Sequence, residues 1–475
     1  MIYKPSVGRM WDPSILWHAG KYYMFAMHNP GEGDLNMWVA TSEDGVHWVD
    51  LGPAIENAPW PVWKMFVFKV GDHFVLDHGS FSGKEGHGND TLKFWKSKDL
   101  ARWEYLGADH DSTPDERWYD VRQRWDHMYV VPKEDGSGYW GWCVGTALPE
   151  VGYRACGLLE SANGERWTVL PPPVFEWGDM AQEDLEYGGC EKIGDTWYLL
   201  GGCYQGTMGS YGYAVMTLTA DGPKGPFRPD REAFRLCGAT GFDGTWGVQF
   251  LASFGRGDGE LMITNYVDVG KGVWLTAMKK AVVDEAGHLR MGYWMGNEKA
   301  KGEAIEVEAE REMIAEQGSW GSWKDGRAVE MMDASFDLER GMIVEGKLRA
   351  ERLSFPRPEY AGFVIEEEGG HTAILLEIGV PAVRRSLIGK LRGEGEGMRF
   401  EAMDETGPGC ASVTGIDDGR ELSFRLWVRK GMLELYVDDL LMQTFFTGET
   451  TGRIGFIVQN CKAAFSDVKA WAMSL

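Results

Sequence analysis

The chain lacks the features of a membrane protein, a disulfide-stapled scaffold or a nucleic-acid binder. Its 475 residues include only seven Cys, at 143, 156, 190, 203, 237, 410 and 461, an odd number with no Cys-x-x-Cys pair. That spacing predicts neither a zinc site nor a disulfide framework, and no metal or cofactor is implied. No basic-then-apolar leader opens the sequence, and no apolar run is long enough to cross a bilayer. The expectation is therefore a cytoplasmic protein off the membrane. Positive charge is scarce as well: 48 Lys and Arg stand against 72 Asp and Glu, a formal net charge of −24. This balance disfavours nucleic acid and anionic membrane surfaces; it fits a neutral or cationic ligand, or simply a well-solvated surface.

Aromatic residues and glycine are abundant. Aromatics make up 13% of the chain, with 22 Trp and 17 Tyr, beside 64 Gly. Many turns and many flat amphipathic rings suit an all-β protein, and rings exposed in a cleft suit stacking on sugars. The length allows two or three domains, and 44% hydrophobic residues are enough for substantial cores.

Self-similarity organises the first 297 residues. Ser42-Glu43-Asp44-Gly45-Val46-His47-Trp48, Ser97-Lys98-Asp99-Leu100-Ala101-Arg102-Trp103 and Ser161-Ala162-Asn163-Gly164-Glu165-Arg166-Trp167 share one spacing, and Asp221-Gly222-Pro223 with Phe227 is a looser copy. Each reads as a turn capped by a side chain, then an aromatic that packs the edge of a sheet. Hairpins precede them at Gly20-Lys21, Gly71-Asp72, Gly138-Tyr139 and Gly194-Asp195, with a fifth at Gly259-Glu260. The units run 11–60, 61–115, 124–175, 185–235 and 246–295, a length and strand count that predict a five-bladed β-propeller over 1–297. Residues 298–319, rich in Glu, Ala and Lys, read as a linker with a short helix. Over 320–475, alternating segments such as Met342–Leu348 and Leu422–Val428 predict a C-terminal β-sandwich accessory domain.

The first strand of each propeller blade lines the central channel, so residues at its start surround one funnel. Unit one offers Asp12 in Trp11-Asp12-Pro13-Ser14-Ile15, unit three Asp126 in Arg124-Trp125-Asp126, and unit four Glu186 in Glu186-Tyr187-Gly188-Gly189-Cys190. Clustered carboxylates raise one another's proton affinity. One can then stay protonated while another stays ionised, which is what glycosidic bond cleavage requires.

These motifs resemble the furanosidase superfamily of five-bladed propellers, glycoside hydrolase families 32, 43 and 68. The family 32 opening is Trp-x-Asn-Asp-Pro-Asn-Gly; Asp12-Pro13-Ser14-Ile15 is closer to family 43. Arg124-Trp125-Asp126 stands for Arg-Asp-Pro, and Glu186 with Cys190 for Glu-Cys-Pro-Asp. The resemblance implies Asp12 as nucleophile or base, Glu186 as general acid/base and Asp126 as transition-state stabiliser, with Glu183, Asp184 and Glu191 as alternatives to Glu186. Trp11, His28, Asn29, His78, Arg124, Asp243 and Trp246 are candidate substrate contacts, and Trp63 and Trp125 candidate stacking rings. The implied substrate is a small carbohydrate, most readily a terminal β-fructofuranoside cleaved with retention. An inverting arabinofuranosidase or xylosidase, a phosphorylase using Arg122 and Arg124, an inactive sugar-binding propeller and a scaffold for protein partners stay open. So does assembly as a homo-oligomer.

Overall fold

The computed structural model describes residues 1–31, 35–55, 58, 60–152, 156–180, 186–203, 214–237, 250–268, 272–316, 326–353, 357–379, 385–393, 398–412, 415–446 and 450–475. Five antiparallel sheets of short strands follow one another along the first 293 residues and surround a common axis, as a five-bladed propeller requires. Their inner strands are Arg9–His18, Met65–Val70, Trp125–Pro132, Glu186–Ile193 and Phe250–Arg256. The N-terminus closes the ring against blade 5: Ile2 N–H donates to the Leu275 carbonyl at 2.9 Å, and Leu275 N–H donates back to Tyr3 at 2.8 Å.

The repeated turn forms as its residues dictate. The Ser42 hydroxyl accepts the N–H groups of Asp44 and Gly45, while Asp44 Oδ1 accepts those of Val46 and His47. The same geometry recurs at Ser97 with Asp99 and at Ser161 with Asn163. These side chains satisfy turn amides that no ladder reaches. The Trp that follows packs across to the preceding blade. The Trp103 ring lies edge-on to Phe25 at 5.9 Å, and that of Trp167 stacks on Phe94 at 6.3 Å.

Inner strands of blades 1, 3 and 4 each break register after the fifth pair from their hairpin, the pairs Ser14–Phe25, Met128–Cys143 and Gly189–Leu200. Blade 5 shifts between Phe250 and Ser253, whereas blade 2 stays in register throughout. A bulge bends the strand and re-aims the side chains next to it. Asp12 and His127 take φ of 51° and 35° there, a conformation uncommon for non-glycine residues. Gly189 adopts φ 125°, and a Cβ on it would meet the Tyr129 ring at 2.7 Å.

The last outer strand of blade 5, Leu289–Tyr293, pairs with Leu440–Phe446, so the propeller runs edge to edge into one sheet of the sandwich. The second sheet has six strands. Phe363 and Phe456 from that sheet interdigitate with Phe424 and Phe465 from the first, with centroids as close as 4.1 Å. Each buried ring contributes roughly 1.5–3 kcal/mol. Within 298–319 the described residues correct the expectation of a linker. After a 3₁₀ turn at Met295–Ala300, the strands Lys301–Ile305 and Arg311–Ile314 pair with Cys461–Met473. These strands face water along much of their length, so their composition is as charged as a linker's. Among the described residues no helix is long and apolar enough to cross a membrane.

Candidate active site

The three repeated acids converge. Arg124 ties two of them together: it reaches Glu186 through Nη1 at 2.5 Å and Nη2 at 3.2 Å, and Asp126 through Nε at 3.0 Å and Nη2 at 3.3 Å. Such a fork holds both carboxylates in fixed orientation. Asn89 Nδ2 donates to Asp126 Oδ2 at 2.8 Å, and the Tyr266 hydroxyl donates to Asp12 Oδ1 at 3.0 Å. Gly79 clears the space beside Asp126, since a Cβ there would meet the Asp126 Cβ at 2.4 Å. Beside these groups Lys64, 7% exposed, donates from its ammonium to the Tyr187 carbonyl at 3.2 Å and the Ser253 hydroxyl at 3.5 Å.

The environments push the three carboxyls apart. Burial raises the pKa of Asp12, opposed by the Lys64 charge and the Tyr266 hydrogen bond and reinforced by Glu186; the net shift is upward. Asp126 is likewise raised by burial, against the pull of Arg124. Burial also works to raise Glu186, but Arg124 and Lys64 outweigh it, and this carboxyl lies below the ordinary glutamate range. The resting site therefore holds its most acidic carboxyl on blade 4 and its two most proton-hungry ones on blades 1 and 3.

Several expected ligands lie elsewhere. His28 is buried; its Nδ1 bonds the Asn36 side chain at 3.0 Å, its Nε2 bonds the Val7 carbonyl at 2.7 Å, and its ring stacks on Trp38. With both ring nitrogens committed, His28 braces blade 1 and offers nothing to a sugar. His78 is fully buried on the strand face opposite Asp77, bonds the Gly79 carbonyl through Nδ1, and is pushed down to about 4 by desolvation. It stays neutral, buried against Trp95 of its own blade rather than at the rim. Asn29 ends the second strand of blade 1 and accepts the Gly31 N–H at 2.8 Å, a turn contact at the mouth of the funnel. Trp11 is half-buried, with the Arg9 guanidinium 5.6 Å from its ring. Trp125 is a core ring edge-on to Tyr119, and Trp63 packs edge-on to Phe81, so Trp125 is not free to stack.

Glu191, the nearby alternative acid, is buried farther along the same strand, where it accepts the Tyr129 hydroxyl at 2.6 Å and pairs with Arg256. Glu183, Asp184, Asp243 and Trp246 lie outside the described residues. Lys64, Asn89 and Tyr266 were not picked out from the sequence. The signal for Lys64 was available: it stands six residues before the hairpin end of its strand, at Val70, as Asp12 does before His18 and Asp126 before Pro132. Among the described residues no group of three His, Cys, Asp or Glu side chains is arranged to hold a metal ion.

A five-bladed propeller with three channel carboxylates, joined to a β-sandwich, defines the architectural class. Solved structures of the same build include the Aspergillus kawachii beta-fructofuranosidase complexed with glycerol, with TM-score 0.71 and 14% identity over 99% of this chain and 93% of that one. Sucrose-6-phosphate hydrolase from Lactobacillus gasseri matches with TM-score 0.68 and 12% identity over 98% and 91% of the two chains. The Bombyx mori GH32 beta-fructofuranosidase gives TM-score 0.67 and 14% identity over 99% and 92%. The fold is thus that of the family 32 furanosidases. No protein-family model and no curated protein matches the chain.

Proposed function

We propose that the protein is a glycoside hydrolase that releases a terminal β-fructofuranoside with retention. The observation that carries the reading is the Arg124 fork, which brings Glu186 of blade 4 against Asp126 of blade 3, with Asp12 of blade 1 close enough to interact electrostatically. The shared architecture with fructofuranosidases supports it; identity of 12–14% leaves the activity itself to this reading.

In the proposed cycle, Asp12 attacks the anomeric carbon as the glycosidic oxygen leaves with a proton from Glu186. Glu186, now ionised, then takes a proton from water, which displaces Asp12 and restores the free carboxylate. Asp126 faces the positive charge that develops on the sugar ring. Arg124 lowers the proton affinity of Glu186 in the free site, so this pair tunes the pH range in which Glu186 carries the proton it must give.

The test is a screen of sucrose, short fructans and nitrophenyl furanosides, with proton NMR of the first anomer released. Turnover of a β-fructofuranoside with retention is the expected result. Inversion would make Asp12 a base acting through water, and hydrolysis only of arabinofuranosides or xylosides would move the substrate class.

A further inference from the structure

Blade 2 departs from its neighbours in two ways that meet at one residue. Its inner strand carries no register break, and at the level where blades 1, 3 and 4 present carboxylates it presents Lys64. The side chain crosses to the inner strand of blade 4 at the Tyr187 carbonyl and to that of blade 5 at Ser253. Burial lowers its proton affinity, and Asp12, Glu186 and Asp126 raise it in return.

The charged and titratable groups acting on Asp12 are Lys64, Glu186, Tyr266 and Arg124. Tyr266 acts through its hydrogen bond, and Glu186 opposes ionisation. Arg124 is committed to Asp126 and Glu186 by four hydrogen bonds. Among the described residues, Lys64 is therefore the cation of the funnel that is not spent in a carboxylate ion pair. Lys64 itself also feels Asp126 and Arg124, and its charge acts on His127 and Asp77.

We infer that Lys64 is a positioning residue for the reaction: buried among the inner strands of blades 2, 4 and 5, it supplies the positive charge that keeps Asp12 ionised for attack. This rests on the reading of Asp12 as the nucleophile. A site with three acids needs one of them ionised and aimed at carbon, and burial alone would leave Asp12 protonated too far up the pH scale. A lysine on a blade whose inner strand carries no acid answers that need.

The test uses the full chain with Lys64→Gln, which keeps a donor for Tyr187 and Ser253, Lys64→Met, and Lys64→Arg. The acid limb of kcat/KM on sucrose should move up by about one pH unit or more in the neutral variants and return in Lys64→Arg. The same displacement should appear without substrate in the carbon-13 carboxyl titration of Asp12, assigned by its loss in Asp12→Asn. An unmoved titration in folded Lys64→Gln overturns the inference. So does failure of both neutral variants to fold while Lys64→Arg folds, because the charge would then serve only to hold the blades. Absence of turnover by the unsubstituted protein would sink the fructofuranosidase reading instead, and the NMR titration would still decide the role of Lys64.

Discussion

Two of the places where the molecule buries charge differ in kind. Where the propeller meets the sandwich, Lys279 pairs with Glu434, both fully buried, and Asn265, Thr276 and Tyr436 supply the remaining hydrogen bonds. Arg235 of blade 4 pairs with Asp404 of the sandwich at 2.7 Å and also donates to the Glu405 carbonyl at 2.9 Å. There, one cation meets one anion. In the funnel, the cations that act on Asp12, Asp126 and Glu186 among the described residues are Lys64 and Arg124, and burial raises two of the three carboxyls. A balanced pair is electrostatically inert and locks two domains in register; an unbalanced cluster keeps a group whose proton can move at little cost. The interface is built for fixity, and the funnel for chemistry.

The largest break in that contrast comes from the funnel. Asp12→Asn or Glu186→Gln should each cut kcat by about 10³-fold or more with the fold intact, read by steady-state kinetics beside circular dichroism. Wild-type rates in both variants would remove the funnel from catalysis.

Next, removing one partner at the interface should act on stability alone. Glu434→Gln leaves a buried ammonium and should cost about 3–5 kcal/mol in denaturant unfolding, whereas Lys279→Met with Glu434→Leu should recover most of it. A drop in kcat of the folded double variant would blur the distinction between the two regions.

A smaller effect tests the Arg124 fork. Replacing Arg124 with Met frees Glu186 from the charge that lowers its pKa, so the alkaline limb of kcat/KM should move up by about one pH unit. A downward movement would contradict the assignment.

The smallest prediction concerns what the funnel costs the fold. A carboxyl whose folded pKa is raised favours the folded state only while protonated. Its stabilisation is present at low pH and is lost as pH rises through the unfolded and then the folded value. Asp12→Asn removes that penalty and should raise Tm at neutral pH by about 1–2 °C, with little gain in acid. Equal Tm changes at both pH values would mean that Asp12 is not strained by burial.

The legible part of this architecture was the part that repeats. The Ser-x-Asp turns form the same side-chain caps wherever they occur, and the hairpins place Asp12, Asp126 and Glu186 at equivalent depth. Lys64 escaped because a search for acids passes over an inner strand that carries none. His28 and His78 misled for the opposite reason: strand ends look like rims in a sequence, but these side chains are buried and bonded to nearby groups of their own blades and the N-terminal segment. The charged strands Lys301–Ile305 and Arg311–Ile314 looked like a linker because one face of an edge strand meets water.

The opening Asp12-Pro13 hairpin and its recurrences determined the five blades, since alternation and turn chemistry act within a few residues of each other. What stands opposite Asp12 was decided only when the ring closed. Tyr266 is 254 residues away in sequence, Arg124 meets Glu186 across 62, and Lys64 crosses from blade 2 to blades 4 and 5. Electrostatic fields act through space rather than along the chain, so the charge state of each acid is a property of the closed propeller.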